Sequence, residues 1–192
     1  AGVAHVDMHN HAPDGTSRQA RATVCYREGP RVWAYGPRAH DHLRAVAQIT
    51  SLQMPRGQRV DIEEAHIETS TVDVGLCKDK WFRYELVTPY FCPDRVYGQR
   101  VREQSHERDA WASYAIARSI GAWLRDLGID RLERSAHAHI VDIEHVRVKW
   151  RYREEFARFG FRARFVSNAI LPPGIGIGQH VSEGFGEVRP WV

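Results

Sequence analysis

The chain is short of the features that would settle its class at once. Its three cysteines, Cys25, Cys77 and Cys92, are odd in number and unevenly spaced, which excludes a disulfide framework and a Cys-x-x-Cys zinc site. No apolar run approaches the roughly 18 residues needed to span a bilayer. No charged-then-apolar stretch opens the sequence as a secretion signal would. These absences predict a soluble chain of a reducing cytoplasm, with no membrane partner. The net charge of +3 is too small to name a partner by itself. Gly-Lys-Ser/Thr is missing, which excludes a Walker phosphate loop. No repeat of fixed period and no low-complexity tract is present.

What is there is an ordinary globular composition, 43% hydrophobic and 27% charged over 192 residues. That length makes one domain or two small fused ones. Charge is unevenly placed. Between Val146 and Arg164 stand Arg147, Lys149, Arg151, Arg153, Arg158, Arg162 and Arg164, opposed only by Glu154 and Glu155. Trp150, Tyr152, Phe156, Phe159 and Phe161 are interleaved with them. Single-stranded nucleic acid needs this composition, arginine for phosphate and rings for stacked bases. The competing reading is a sheet with a solvated arginine face and an apolar inner face.

Periodicity gives a coarse map. An opening strand around Val3, His5 and Asp7 precedes a turn at Pro13-Asp14-Gly15, and Ala20–Arg27 reads as a strand. Pro30–Pro37 reads as a loop. Leu43, Val46, Ala47 and Ile49 predict a helix from about Ala39 to about Gln53, before Pro55 and Gly57. Val60–Leu76 alternates like a strand or hairpin, and Trp81–Phe91 reads as a further strand. Ser105–Leu127 is the clearest helix. Trp111, Tyr114, Ala115, Arg118, Ala122 and Leu124 recur at helical spacing, with Ser105 as cap and Gly128 after the end. Ala136–Tyr152 and Phe161–Leu171 are strands. His137, His139 and His145 would share the solvent-facing or ligand-facing surface of the first of these.

Near the C-terminus lies Pro172-Pro173-Gly174-Ile175-Gly176-Ile177-Gly178-Gln179-His180-Val181-Ser182-Glu183-Gly184-Phe185-Gly186. Prolines fence its glycines, which describes a shaped loop. Glycine reaches positive φ cheaply and lets other groups approach the backbone. Freed amides in such a loop can form a nest for phosphate oxygens. A dinucleotide fingerprint would need a strand, G-x-G-x-x-G, a helix and a later acidic residue, and the sequence provides none of that context.

Read as G-x-G-x5-G-F-G, Gly176, Gly178, Gly184, Phe185 and Gly186 resemble the C-terminal loop of the RAMP superfamily, and most of all its CRISPR repeat-processing endoribonucleases. The similarity is stronger from about Trp81 to Val192 than before it. The resemblance implies an α+β, ferredoxin-like (RRM-like) fold. Two such units would be fused, residues 1–78 and residues 79–192, the second carrying the glycine-rich loop. It further implies CRISPR repeat RNA as substrate, no cofactor or metal, and other subunits of an effector complex as partners. Gly176, Gly178, His180, Ser182, Gly184, Phe185 and Gly186 would hold RNA, helped by Arg38, Arg44, Arg147, Lys149 and Arg151.

Two histidine clusters offer rival chemistries. Asp7-x-His9-x-His11 resembles the opening metal motif of PHP-type phosphoesterases and amidohydrolases. On a strand His9 and His11 share a face, as paired metal ligands require. The downstream Thr-Asp-His and the strand–helix alternation of those folds are missing, so solvated histidines at a strand end fit better. Tyr35-Gly36-Pro37-Arg38-Ala39-His40-Asp41-His42-Leu43-Arg44 lies at the start of the first predicted helix, where the repeat-processing endoribonucleases commonly carry a catalytic histidine. Histidine suits either proton role in metal-independent RNA cleavage, leaving a 2′,3′-cyclic phosphate and a 5′-hydroxyl. His42, His40 and Tyr35 are therefore the catalytic candidates, with His42 preferred. The family's loop and fold serve non-cutting RNA-binding subunits equally, and only this cluster speaks for cutting.

Overall fold

The computed structural model describes residues 23–25, 31–35, 43–44, 47–48, 50–53, 59–61, 66–92, 107–129, 135–149, 157–181 and 184–192. Two short antiparallel hairpins come first: β1 (Thr23–Cys25) with β2 (Arg31–Trp33), and β3 (Ser51–Gln53) with β4 (Arg59–Asp61). β2 occupies a stretch expected to be loop, because an isolated strand needs a partner and Arg31–Trp33 provides it. Leu43, Arg44 and Ala47 are helical as expected, yet Ser51–Gln53 is strand, so the helix stops short of Gln53. Among the described residues of Val60–Leu76, extended pairing falls in β4 and in β5 (Gly75–Leu76). Residues 66–73 are exposed throughout, Ile67 and Val72 included, and alternation without a second surface to bury against does not hold a strand. The predicted strand at Val3–Asp7 and most of the predicted unit 1–78 lie outside the described residues.

From Phe82 onward the order is β6 (Phe82–Leu86), helix α1 (Arg108–Asp126), β7 (Ala138–Lys149), β8 (Ala157–Ser167), β9 (Ala169–Ile170), β10 (Ile175–Gly176) and β11 (Glu187–Pro190). Five of these strands form one antiparallel sheet in the order β10-β11-β6-β8-β7. Counting β6, β7, β8 and β11 as the four strands of a unit, their spatial order is fourth, first, third, second, with α1 crossing from first to second. That is the expected ferredoxin-like arrangement. Its second crossover, from β8 to β11, has no α-helix among its described residues. The chain runs instead through β9, which leaves the sheet to pair with β5, then β10 and the glycine-rich segment. Tyr84 fastens this departure, its hydroxyl donating to the Ala169 carbonyl and accepting from the Leu171 amide, both at 2.9 Å.

Helix α1 turns Ala112, Ala115, Ile116, Ser119, Ile120, Trp123 and Leu124 into the core, a stripe of three- and four-residue steps. Tyr114 and Arg118 lie outside, paired as cation and ring at 5.9 Å, and half-buried Trp111 donates to Glu107 at 3.0 Å. The N-cap position is Glu107, without a side-chain cap bond, rather than Ser105. Gly128 closes the helix as expected, at φ 81°, its amide donating to the Arg125 carbonyl at 2.8 Å. Among the described residues no helix is long and apolar enough to cross a membrane.

The strand histidines part company at a bulge. The β7–β8 register runs His139↔Val166 and Ile140↔Phe165, then shifts, resuming at Asp142↔Arg164 and Ile143↔Ala163. One inserted residue reverses the alternation beyond it. His137 and His139 are exposed as expected, but His145 is half-buried with Phe161, ring centroids 6.3 Å apart, on the core side. Burial first, and then the Arg108 charge, lowers its pKa below the ordinary histidine value.

Tyr90 links all these parts. Its backbone exchanges hydrogen bonds with Phe161 at 2.8 and 3.1 Å, and its fully buried hydroxyl reaches the Ala115 carbonyl at 3.0 Å and Ser119 Oγ at 2.8 Å on α1. Tyr90→Phe removes only that hydroxyl and leaves polar groups buried without it. A stability loss of about 1–3 kcal/mol is expected, measured as a lower denaturation midpoint at unchanged m.

Candidate functional site

The glycine-rich segment is built against Pro89-Tyr90-Phe91. Gly174, Gly178, Gly184 and Gly186 have φ of 82°, 92°, 87° and 69°, the left-handed region that disfavours a side chain. A Cβ on Gly178 would stand 2.7 Å from the Phe91 carbonyl oxygen and 2.8 Å from the Tyr90 ring, and one on Gly186 would strike the Ile177 carbonyl. The segment's amides are largely engaged by the chain itself. Gly174 donates to Val188, Ile177 to Gly186, Gln179 to Phe91, Gly184 to Val181, Phe185 to His180 and Gly186 to Pro89, at 2.9–3.3 Å. Those amides are taken up by the chain itself, and buried Gly176, Gly178 and Gly186 let the backbone fold closely onto its scaffold.

What this packing presents outward is Gln179, His180 and Phe185, each half-buried around Phe91. The Phe91 ring meets Phe185 edge-on at 4.9 Å and His180 edge-on at 6.1 Å. His180 has φ 61°, and it is the non-glycine residue in the left-handed region among those described. Such a conformation costs a residue with a Cβ about 1–2 kcal/mol. A strained residue held by a packed loop is a recurring mark of functional sites.

Tyr35 stands at the mouth of the loop. Its hydroxyl donates to the Pro173 carbonyl at 2.6 Å, and its ring meets the buried Trp123 edge-on at 6.0 Å. Burial pushes its pKa up to about 12. The phenol proton is thus committed to a backbone carbonyl and held far from release near neutrality, which suits an anchor better than a proton donor to a reacting group. This bond fastens Tyr35 itself beside the loop. His40, His42, Arg38, Arg151, Ser182, His9 and His11 lie outside the described residues. Arg44 is helical and exposed, and Arg147 and Lys149 are placed by register alone, opposite Phe159 and Ala157.

One feature escapes the sequence reading altogether. Glu187, first residue after the last glycine, is 1% exposed, with Oε1 2.8 Å from Arg189 Nε and Oε2 without a hydrogen-bond partner. The signal was an acidic and a basic residue two apart on a strand, which places both on one face.

The model of the Cas6b C-terminal domain family matches residues 76–191. Among solved structures, one described as Cas6b aligns at TM-score 0.82 and 20% identity, over 98% of this chain and 86% of that one. A second, described as the CRISPR RNA processing endoribonuclease Cas6b, aligns at TM-score 0.70 and 20% identity, over 90% and 81% of the two chains. A type IV Cas6 crRNA endonuclease, Csf5, aligns at TM-score 0.52 and 15% identity, over 97% and 77%. At such identities the likeness is one of fold. No curated protein sequence matches the chain.

Two glycines separate close packing from backbone strain. Gly178 and Gly128 have similar φ, 92° and 81°, but a Cβ on Gly128 would meet nothing within 4 Å. Gly128→Ala should lose only the left-handed penalty of about 1–2 kcal/mol. Gly178→Ala should lose that and an overpacking cost of about 1–3 kcal/mol more. Equal losses in chemical denaturation would show that the loop yields freely against Tyr90.

Proposed function

Because the chain belongs to the Cas6b family, we propose that it is an endoribonuclease that cuts precursor CRISPR RNA within its repeats. The observation that carries the reading is the glycine loop packed on Tyr90 and Phe91 and fastened by Tyr35, in a ferredoxin-like unit of this family. RNA would lie along the outward side of the loop, against strained His180 and Phe185, with the arginine-rich stretch around Arg147 and Lys149 supplying phosphate contacts. Ser182 and the glycines shape that contact. The sequence division into units 1–78 and 79–192 is part of the same proposal.

The chemistry needs no metal in this reading. A base removes the proton of a 2′-hydroxyl, O2′ bonds to the adjacent phosphorus, and the bond from phosphorus to the departing 5′-oxygen breaks. An acid then protonates that oxygen. The products are a 2′,3′-cyclic phosphate and a 5′-hydroxyl. His42 and His40, seven and five residues after Tyr35, are proposed for the two proton roles, with His42 the stronger candidate. Arg38 and Arg44 would stabilise the phosphorane charge. Tyr35 is reassigned to positioning, because its donor is already given to Pro173.

The test is single-turnover cleavage of cognate repeat RNA in EDTA. His42→Ala is expected to slow cutting by at least ~10²-fold, with little change in affinity and a rate that depends on pH around neutrality. A 2′-deoxy substitution at the scissile nucleotide should abolish cutting and leave binding intact. Tyr35→Phe, which keeps the ring against Trp123, should cost far less than His42→Ala. Loss of cutting in EDTA together with dependence on His9 would move the chemistry to the N-terminal cluster. Tight binding with no cutting by the parent protein would make it a guide-holding subunit of an effector complex.

A further inference from the structure

The sheet face turned away from α1 carries a cluster that the loop and histidine chemistry leave unused. Across β6, β8 and β7 the register sets Arg83, Val166 and His139 in one row, and Glu85, Arg164 and Asp142 in the next. Trp191 follows β11, its amide donating to the Arg83 carbonyl at 3.0 Å. The guanidinium groups of Arg164 and Arg83 lie 4.9 and 5.7 Å from the centroid of its indole.

Neighbouring arginines on this face are neutralised locally. Arg189 pairs with Glu187 at 2.8 Å, and Arg162 with Glu144 at 3.7 Å. Arg83 and Arg164 are exposed, and among the described residues neither forms an ion pair. Two cations gathered over one ring repel each other, and an anion beside them relieves that repulsion. Arg164 stands between Glu85 and Asp142 in its row without an ion pair to either, so the cluster offers a π-surface with two guanidinium groups at its edge, the complement of a base and its phosphate.

A second aromatic group lies on the same face. Trp81, 48% exposed, has its ring 5.0 Å from that of His139, tilted by 40°. His139 shares a row with Arg83, two strand spacings away, or roughly 10 Å. That spacing is within the reach of neighbouring nucleotides in an unpaired strand. Sheets of this kind in RNA-binding domains stack two or three bases.

We propose that this face is a second RNA-binding site, a stacking platform for unpaired nucleotides. Trp191, Arg83 and Arg164 take one nucleotide, and Trp81 with His139 takes a neighbour. Duplex is excluded, because the π-faces of its bases are already covered by their neighbours. The proposal rests on the RNA reading above and adds a substrate preference to it: single strand on the sheet, in addition to whatever the glycine loop holds.

The experiment uses the full chain and a single-stranded RNA without self-complementarity, substituted with 5-iodouridine. Trp191→Ala should weaken binding about tenfold or more, the size of one lost base stack, with the salt dependence unchanged. Trp191→Phe, which keeps a ring, should restore most of it. Arg83→Ala with Arg164→Ala should weaken binding and flatten the salt slope. Photocrosslinks on the parent protein should map to Trp191 or Trp81, which decides the matter even if Trp191→Ala does not fold. Parental affinity in folded Trp191→Ala, or crosslinks confined to other surfaces, would overturn the platform. A parent that cuts repeat RNA but does not bind the single strand removes the platform and leaves the enzyme reading standing. A parent that binds neither RNA removes both.

Discussion

Tyr90 and Phe91 are held between two glycines where no side chain fits. On one side Gly160 of β8 brings its backbone so near that a Cβ would lie 2.8 Å from the Tyr90 carbonyl oxygen; on the other, Gly178 approaches Phe91 as closely. Helix α1, β8 and the glycine loop all take hydrogen bonds from this short segment or give them to it. Backbone groups buried this way must be paired, so the loop's conformation is specified by carbonyls of the scaffold. Remove the close approach and the loop loses its template. The position of His180, its strained φ and the orientation of Phe185 all follow from it.

That constraint changes how a glycine-rich loop is understood. A flexible loop would lose entropy when RNA ordered it. This one has its amides engaged and its aromatics packed by the chain itself, so on the proposed reading less ordering is left to be done on binding. Tyr35 extends the same logic to the preceding half of the chain. Its bond to the Pro173 carbonyl and its contact with Trp123 hold Tyr35 against a fixed edge of the loop.

The sequence made some of this legible. Four glycines in the left-handed region, the Gly128 helix stop and the strands around Tyr84 and Phe165 follow from local rules of φ, capping and alternation. Other features were hidden for physical reasons. The partners of the loop amides are among them, because sequence reports where φ can be positive but not which carbonyl will accept. Tyr114 recurs at helical spacing yet lies outside, while small Ala112, Ala115 and Ser119 permit the helix to lie close to the sheet. His145 parts from His137 and His139 because of a one-residue bulge, whose sequence trace is the three-residue step between core-facing Ile140 and Ile143. The Trp191 cluster joins three distant segments and has no local periodicity at all.

The crossover without a helix among its described residues has an evolutionary consequence. Ile175 and Ile177, fully buried, belong to the same apolar cluster as Trp123 and Tyr84, so the loop that faces outward through His180 is also part of the core. In most domains a recognition loop can drift while the scaffold stays constant, because the two are separate selectable traits. On the proposed reading, a change that retunes recognition also perturbs folding, and a lineage can alter specificity only while it has stability in reserve. Divergence in this protein should therefore be fastest at the loop's outward residues and slowest at its glycines.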